Sequence, residues 1–381
     1  MKIKNIVVML LILIIGIILT GCQSSEEKIV ESEKELAKMQ NFKMDNKEQQ
    51  LTKKSLPTET FIQEYLIEED GRIQTNITTL KEEYLSESLG LWMQYLVAKD
   101  DPHQFNQQVK TLEKYFLTHD SLVTWKLDGD KKAPANAFID DLRIVQALYS
   151  AGDQWNHSPY TKLAEKMSNK LVDYQTSKSL MVDFVELDSK SKGSVLTLSY
   201  IIPAGFNHMK QAGILPEKTY ESTKKVLLDA PYSEIGFYPK SYDVPNGTYS
   251  YDKEVNLIDQ FYVGYHRAQW QDDVEPLLAF AKKAFVEGGG KLYGRYDGST
   301  GKPVVPYEAA SVYALAILMC LELEEKDFAK NLYSQMKTLQ QTDKESPYYG
   351  GYIDVETKET HSFDNLLALL AESKVLDEKD F

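Results

Sequence analysis

Cysteine is almost absent from this chain. Only Cys22 and Cys320 occur in 381 residues. A disulfide framework is therefore excluded, and the fold must hold itself together by burying a core, which a chain of this length can do. Histidine is sparse as well. His103, His119, His157, His208, His266 and His361 show neither HExxH spacing nor a neighbouring cysteine, so no metal site is expected. Basic charge is in deficit: 43 Lys and Arg stand against 57 Asp and Glu, a net charge of −14. Nucleic-acid binding rests on Lys and Arg, so a nucleic-acid partner is not expected. No GxSxG nucleophile elbow occurs. The run Gly288-Gly289-Gly290-Lys291 is followed by Leu292 rather than Ser or Thr, so it is no phosphate-binding loop.

The N-terminus carries the clearest address. Lys2 and Lys4 precede an uninterrupted apolar run over 6–18, and Leu19-Thr20-Gly21-Cys22 follows. This order of positive, apolar and small residues reads as a signal peptide, residues 1–21. Its end looks like a bacterial lipobox, with Cys22 as the lipidated residue. The expected location is the extracytoplasmic face of the cell membrane. Residues 22–54 are rich in Glu, Lys, Gln and Ser and read as a polar tether. Fully extended, about 30 residues reach on the order of 100 Å. Residues 55–381 form the expected domain. Cys320, in the apolar stretch AILMCLEL, is expected to be an inert buried thiol.

The body of the chain shows repeated helical periodicity and no convincing alternation. Helices are expected near 58–68, 84–98, 102–118, 135–151, 159–174, 196–212, 216–229, 253–268, 272–286, 307–323, 326–340 and 362–372. In the second, Leu85, Leu89, Trp92, Met93 and Leu96 fall on one stripe. Asp101-Pro102 and Ser158-Pro159 read as a capping residue before a first-turn proline. The loops over 230–252, 287–306 and 342–360 are long, with room for short hairpins. The chain is therefore mostly α, with no fixed-period repeat.

Chemistry is left to carboxylates near aromatic residues. Glu87 lies in SESLGLWM, Asp140 and Asp141 in ANAFIDDLRIVQAL, and Asp252 in NGTYSYDKEV. Singly, each has an ordinary structural explanation as a helix cap or a solvated side chain. Together and in order they resemble glycoside hydrolase family 8. Ser86, Glu87, Gly90 and Met93 match that family's first segment. Trp125, Ala137, Asp141, Ile144, Ala147, Leu148, Ala151 and Trp155 match its second, and Tyr251-Asp252 its third. LYGRYDGSTGKPV over 292–304 and YYGGYIDVETKETHSFDNLLALLA over 348–371 look like its late segments. The resemblance covers roughly residues 56–372.

The resemblance implies an all-α fold, an (α/α)6 barrel of six helical hairpins with long loops on the active rim. It also implies an inverting glycosidase with no cofactor and no metal. Glu87 is then the general acid and Asp252 the base, with Asp243 and Asp259 as alternatives for the base. Inversion needs one protonated and one ionised carboxyl roughly 6.5–9.5 Å apart, with a water between them. Trp92, Trp125, Asp140, Asp141, Tyr200 and Tyr251 are the candidate substrate-binding residues. Tyr84, Trp92, Trp125, Asp140 and Asp141 are expected close to Glu87, where they would raise its pKa. The implied partner is a polysaccharide, a β-linked exopolysaccharide cut internally during its synthesis, export or remodelling in a biofilm, beside the synthesis machinery. Three departures stand out: Ile139 where the family has an Asp, Ser88 where it has a glycine, and Val255 where it has an Arg. They leave open a glycan-binding lipoprotein that has lost turnover. A transporter's solute receptor is a third reading, disfavoured because such receptors are built of α/β lobes.

Overall fold

The computed structural model describes residues 55–78, 80, 82–378 and 381. The expected signal peptide, Cys22 and the tether lie outside the described residues. Among those described, twelve α-helices alternate between an outer and an inner layer. The outer ones are α1 (Pro57–Phe61, continued to Leu66 by a wider turn), α3 (Pro102–Thr111, continued to Phe116), α5 (Ser158–Gln175), α7 (Glu217–Leu228), α9 (Glu275–Glu287) and α11 (Lys326–Thr338). The inner ones are α2 (Ser86–Lys99), α4 (Phe138–Gln154), α6 (Pro203–Gln211), α8 (Leu257–Gln269), α10 (Ala310–Glu322) and α12 (Ser362–Asp377).

Sequence decides which layer a helix joins. Outer helices carry one apolar stripe. In α11 the buried residues are Phe328, Ala329, Leu332 and Met336, one face at helical spacing. Inner helices are apolar nearly all round. In α10, Ala310 to Ile317 and Met319 to Leu321 are all buried. Such a helix has no face for water and must sit between neighbours. Accordingly α2 packs on α4, α4 on α6, α8 on α10, α10 on α12, and α12 back on α2. A 3-10 turn at Leu198–Tyr200, just before α6, touches both α4 and α8. This is the (α/α)6 barrel, and its core runs through every inner helix.

Ten strands of two or three residues are confined to the connections. β1 (Glu83–Leu85), β2 (Lys126–Asp128) and β3 (Lys131–Lys132) form one antiparallel sheet. β6 (Val195–Thr197), β7 (Ser241–Asp243) and β8 (Thr248–Ser250) form a second, and β9 (Glu254–Asn256) pairs with β10 (Arg295–Asp297). β4 (Thr176–Ser177) and β5 (Leu180–Met181) make a small hairpin. Several of these strands lead straight into inner helices: β1 into α2, β6 through the 3-10 turn into α6, and β9 into α8.

All twelve expected helices are present. The Asp101 side chain accepts the Gln104 amide at 2.9 Å, an N-cap as expected. Ser158 is no cap: it is the first helical residue of α5, and the preceding His157 makes no capping bond. Cys320 is buried and free, and burial pushes its thiol up to about 12, so it is inert.

Candidate active site

The first turns of the inner helices concentrate acidic residues. Glu87 is the second residue of α2, Asp140 and Asp141 lie in the first turn of α4, Asp259 is the third residue of α8, and Asp364 the third of α12. Ser311 of α10 donates its amide to Asp364 Oδ1 at 2.9 Å, and the hydroxyls of Ser88 and Ser362 meet at 2.8 Å. These bonds tie the starts of α2, α10 and α12 together at one end of the barrel.

Glu87 is surrounded by protein, yet 27% of its side chain remains exposed. Burial, then the charge of Asp140, then that of Asp364, raise its carboxyl to about 7, against the opposing pull of Arg143. The dipole of α2 favours the ionised form by only about 0.3–1 kcal/mol. Desolvation and like charge outweigh it, as a general acid requires. Asp140 accepts hydrogen bonds from Ser86 Oγ and Arg143 Nη1, both at 2.8 Å. Arg143 Nη1 stands 3.8 Å from Glu87 Oε2, and Arg143 Nη2 donates to the Tyr262 hydroxyl at 2.8 Å.

A second acidic group lies across the 3-10 turn. Ser199 Oγ donates to Asp259 Oδ1 at 3.1 Å, and Lys240 Nζ is 4.0 Å from Asp259 Oδ2. Burial raises the Asp259 carboxyl, with Lys240 opposing and Asp252 reinforcing the shift. Asp183 accepts the amide and hydroxyl of Thr197 at 2.6 and 2.7 Å, and burial raises it to about 6. Tyr200 connects the two halves. Its hydroxyl is raised by burial and then by Asp140, Asp183 and Asp259, with Arg143 opposing. One side chain therefore feels the Asp140 group beside Glu87 and the Asp259 group opposite.

Several expectations need correction. Asp252 does not open a helix: it precedes β9, while Asn256 caps α8 and Asp259 occupies its first turn. Asp252 instead pairs with Lys240 at 3.3 Å on the exposed side of Asp259. Asp243 lies in β7, where it accepts from Asn246 in a turn. Trp92 is 0% exposed and stacks on Tyr95 at 5.3 Å, so it is core and offers no face to a ligand. Asp141 is 1% exposed and accepts from Asn136, which also binds Gln175 and Val185. It knits the interior and offers no accessible face to a ligand. Tyr84 is turned away, its hydroxyl on Glu68 at 2.9 Å and Arg72 over its ring.

The remaining aromatic candidates are accessible. Trp125 is 38% exposed, and its carbonyl accepts both the amide and the hydroxyl of Ser86 beside Glu87. Tyr251 is 47% exposed, with its hydroxyl on the Pro231 carbonyl. Sequence reasoning missed Arg143, Asp183, Lys240 and Asp364 as members of the site. Arg143, three residues after Asp140, was open to discovery from helical spacing. Asp183 and Lys240 lie in connections and carry no such signal. Among the described residues no cluster could hold a metal ion.

The fold and the acidic rim together define the class, a glycosidase-type (α/α)6 barrel. No family model matches the chain. It is 39% identical over 323 residues to a Bacillus subtilis (strain 168) protein named "Putative lipoprotein YdaJ", covering 84% of this chain and 87% of that one. Among solved structures, one described as a novel alpha-amylase from Clostridium perfringens superposes with a TM-score of 0.78 at 27% identity, covering 84% and 96% of the two chains. PssZ from Listeria monocytogenes gives 0.70 at 26%, covering 85% and 98%. The fold is also that of a family 8 glycosyl hydrolase from Klebsiella pneumoniae, with a TM-score of 0.57 at 16% identity over 84% and 100% of the chains. The chain belongs to the same family as YdaJ, and its fold is that of the family 8 glycosyl hydrolases.

Proposed function

We propose that this protein is a cell-surface lipoprotein, anchored through Cys22, that hydrolyses a polysaccharide internally with inversion at the anomeric carbon. Glu87 is the general acid. Asp259 is the base, in place of Asp252, because it sits in the first turn of an inner helix as Glu87 does, while Asp252 lies outside it on a loop. The single observation that carries this reading is the Glu87 carboxyl, 27% exposed and influenced by the charge of Asp140, raised to about 7. An acid with that pKa is half protonated near neutrality, the condition for efficient proton donation. Asp259 is held by Ser199 and Lys240 and is the group to take a proton from water. Tyr200, between the two acidic groups, is placed to orient that water or the sugar.

Trp125 and Tyr251 supply stacking faces for sugar rings, while Asp140, 4% exposed and with both oxygens engaged, acts on Glu87 and not on the sugar. The substrate favoured is a β-linked exopolysaccharide, met during synthesis, export or biofilm remodelling. A second reading, a glycan-binding lipoprotein without turnover, draws chiefly on Ile139, with Ser88 and Val255 as lesser departures.

The test is reducing-end release from a purified bacterial exopolysaccharide, with carboxymethylcellulose, xylan and starch in parallel. The wild type is expected to release ends from a β-linked glycan, and Glu87→Gln to lose at least about three orders of magnitude, as removal of a proton donor does. Equal activity in Glu87→Gln overturns the assignment. Cleavage of starch alone overturns the β-linkage, and glycan binding without release establishes the second reading.

A further inference from the structure

We infer that Arg143, fixed by Tyr262, is a positioning residue that keeps Asp140 the ionised and Glu87 the protonated carboxyl of the two. The inference rests on the proposed role of Glu87 and explains how two adjacent carboxyls come to play different parts.

The argument is an asymmetry of donors. Both oxygens of Asp140 are engaged: Oδ2 accepts from Ser86 Oγ and Oδ1 from Arg143 Nη1, each at 2.8 Å. The same Arg143 nitrogen is 3.8 Å from Glu87 Oε2, beyond hydrogen-bond reach. Hydrogen bonds to an ionised carboxylate lower its pKa, and a charge at a distance does so less. Burial raises both carboxyls, but only Asp140 has donors on both oxygens to oppose that rise, so Asp140 is the member that ionises first and Glu87 the one that keeps its proton. With only 2% of its side chain exposed, Arg143 acts with little screening by solvent.

Arg143 could serve either carboxyl if its side chain were free to swing, and it is not. Its second terminal nitrogen, Nη2, donates to the Tyr262 hydroxyl at 2.8 Å, and the guanidinium lies 5.3 Å from the centre of that ring. Tyr262 belongs to α8, so the arginine is gripped from the neighbouring side of the barrel. Gly90 of α2 admits it closely: a Cβ there would stand 3.1 Å from Arg143 Cβ.

The other groups facing the pair do not reverse this order. From α12, Asp364 adds negative charge that raises Glu87, and His361 beside it is lowered by burial, with Asp364 and Glu83 opposing. From α8, His266 is driven down to about 3 by burial and by Arg143, so it is neutral. From the 3-10 turn, Tyr200 is raised by burial and by Asp140 and remains a neutral phenol.

The test reads the two carboxyls directly by 13C NMR titration of the full chain in detergent, with side-chain carboxyls labelled and assigned by Glu87→Gln and Asp140→Asn. In the wild type, Asp140 is expected to stay ionised while Glu87 titrates near 7. In Arg143→Met the two resonances are expected to titrate together, and the last proton to leave about one unit higher or more, because the cation has gone. Tyr262→Phe should shift the same way by less, and Arg143→Lys should restore separate titrations. If the variants keep the wild-type circular dichroism and the titrations do not move, the inference is overturned. Should Arg143→Met fail to fold, Tyr262→Phe decides alone. No substrate enters this measurement, so a failure of the hydrolytic reading and a failure of the arginine's role are seen separately.

Discussion

Glu87 pays in stability for its elevated pKa. Its carboxyl rises from an ordinary 4.5 to about 7 on folding, so between those values the folded chain binds more protons than the unfolded one. Stability from this group therefore falls as pH rises through that window and stays low above it. Glu87→Gln is expected to leave the melting temperature unchanged at pH 4 and to stabilise the fold by on the order of 3 kcal/mol at pH 8, scaling the shift by the usual linkage. Thermal melts at the two pH values check this; equal effects at both would contradict it. The same value sets an alkaline limb of activity near pH 7, since the acid must hold its proton. Asp259→Asn is expected to lower turnover by at least about two orders of magnitude, and Asp252→Asn by under tenfold. Initial rates on one cleaved glycan distinguish them. At this scale the sequence was partly legible. Glu87 and Asp140 could be named only through the family resemblance, and Asp252 could not be told from Asp259. The difference lies in where a helix begins, and Asp252 and Asp259 both precede or enter the same apolar periodicity.

The helix starts show why. Expected starts at 84, 135, 196, 253 and 307 fall before the observed Ser86, Phe138, Pro203, Leu257 and Ala310, and all five belong to inner helices. Their lead-in segments are extended. Leu196 and Val255 in β6 and β9 are buried apolar residues that pair with β7 and β10, so they continue a hydrophobic pattern without continuing a helix. Pairing across connections distant in sequence decides their conformation, and no local window contains the partner. The outer helices, with one apolar stripe each, were legible to within a residue at their starts, except α9, expected from 272 and observed from Glu275. Packing between inner helices is tight at Gly90, where an added Cβ would stand 3.1 Å from Arg143 and 3.4 Å from Ile144. Gly90→Val is expected to force α2 from α4, destabilising the fold by about 1–3 kcal/mol as overpacking does. The displacement would also loosen the Arg143–Asp140 bond, so urea unfolding and the Glu87 titration should both move.

The whole barrel is closed by a polar seam at its last inner helix. Glu372 of α12 is buried and accepts from Thr58 Oγ1, Lys337 Nζ and the Tyr352 hydroxyl, each at 2.8 Å, and from Gln340 Nε2 at 3.3 Å. One carboxylate thereby ties α12 to the first outer helix, to α11 and to the last long loop. Nothing local in the sequence marks this, because Thr58 is 314 positions away. Glu372→Ala strands several donors and is expected to cost about 3 kcal/mol, within the range for removing one partner of a buried ionic cluster. Chemical denaturation reads that loss, and a loss below about 1 kcal/mol would show the seam to be incidental. The proposed pairing of an acid at the start of α2 with a base at the start of α8 meets its most direct test in the configuration of the newly formed reducing end. Proton NMR in the first minutes of hydrolysis should show the anomer opposite to the bond that was cut. The same anomer, or no new end at all, would contradict it.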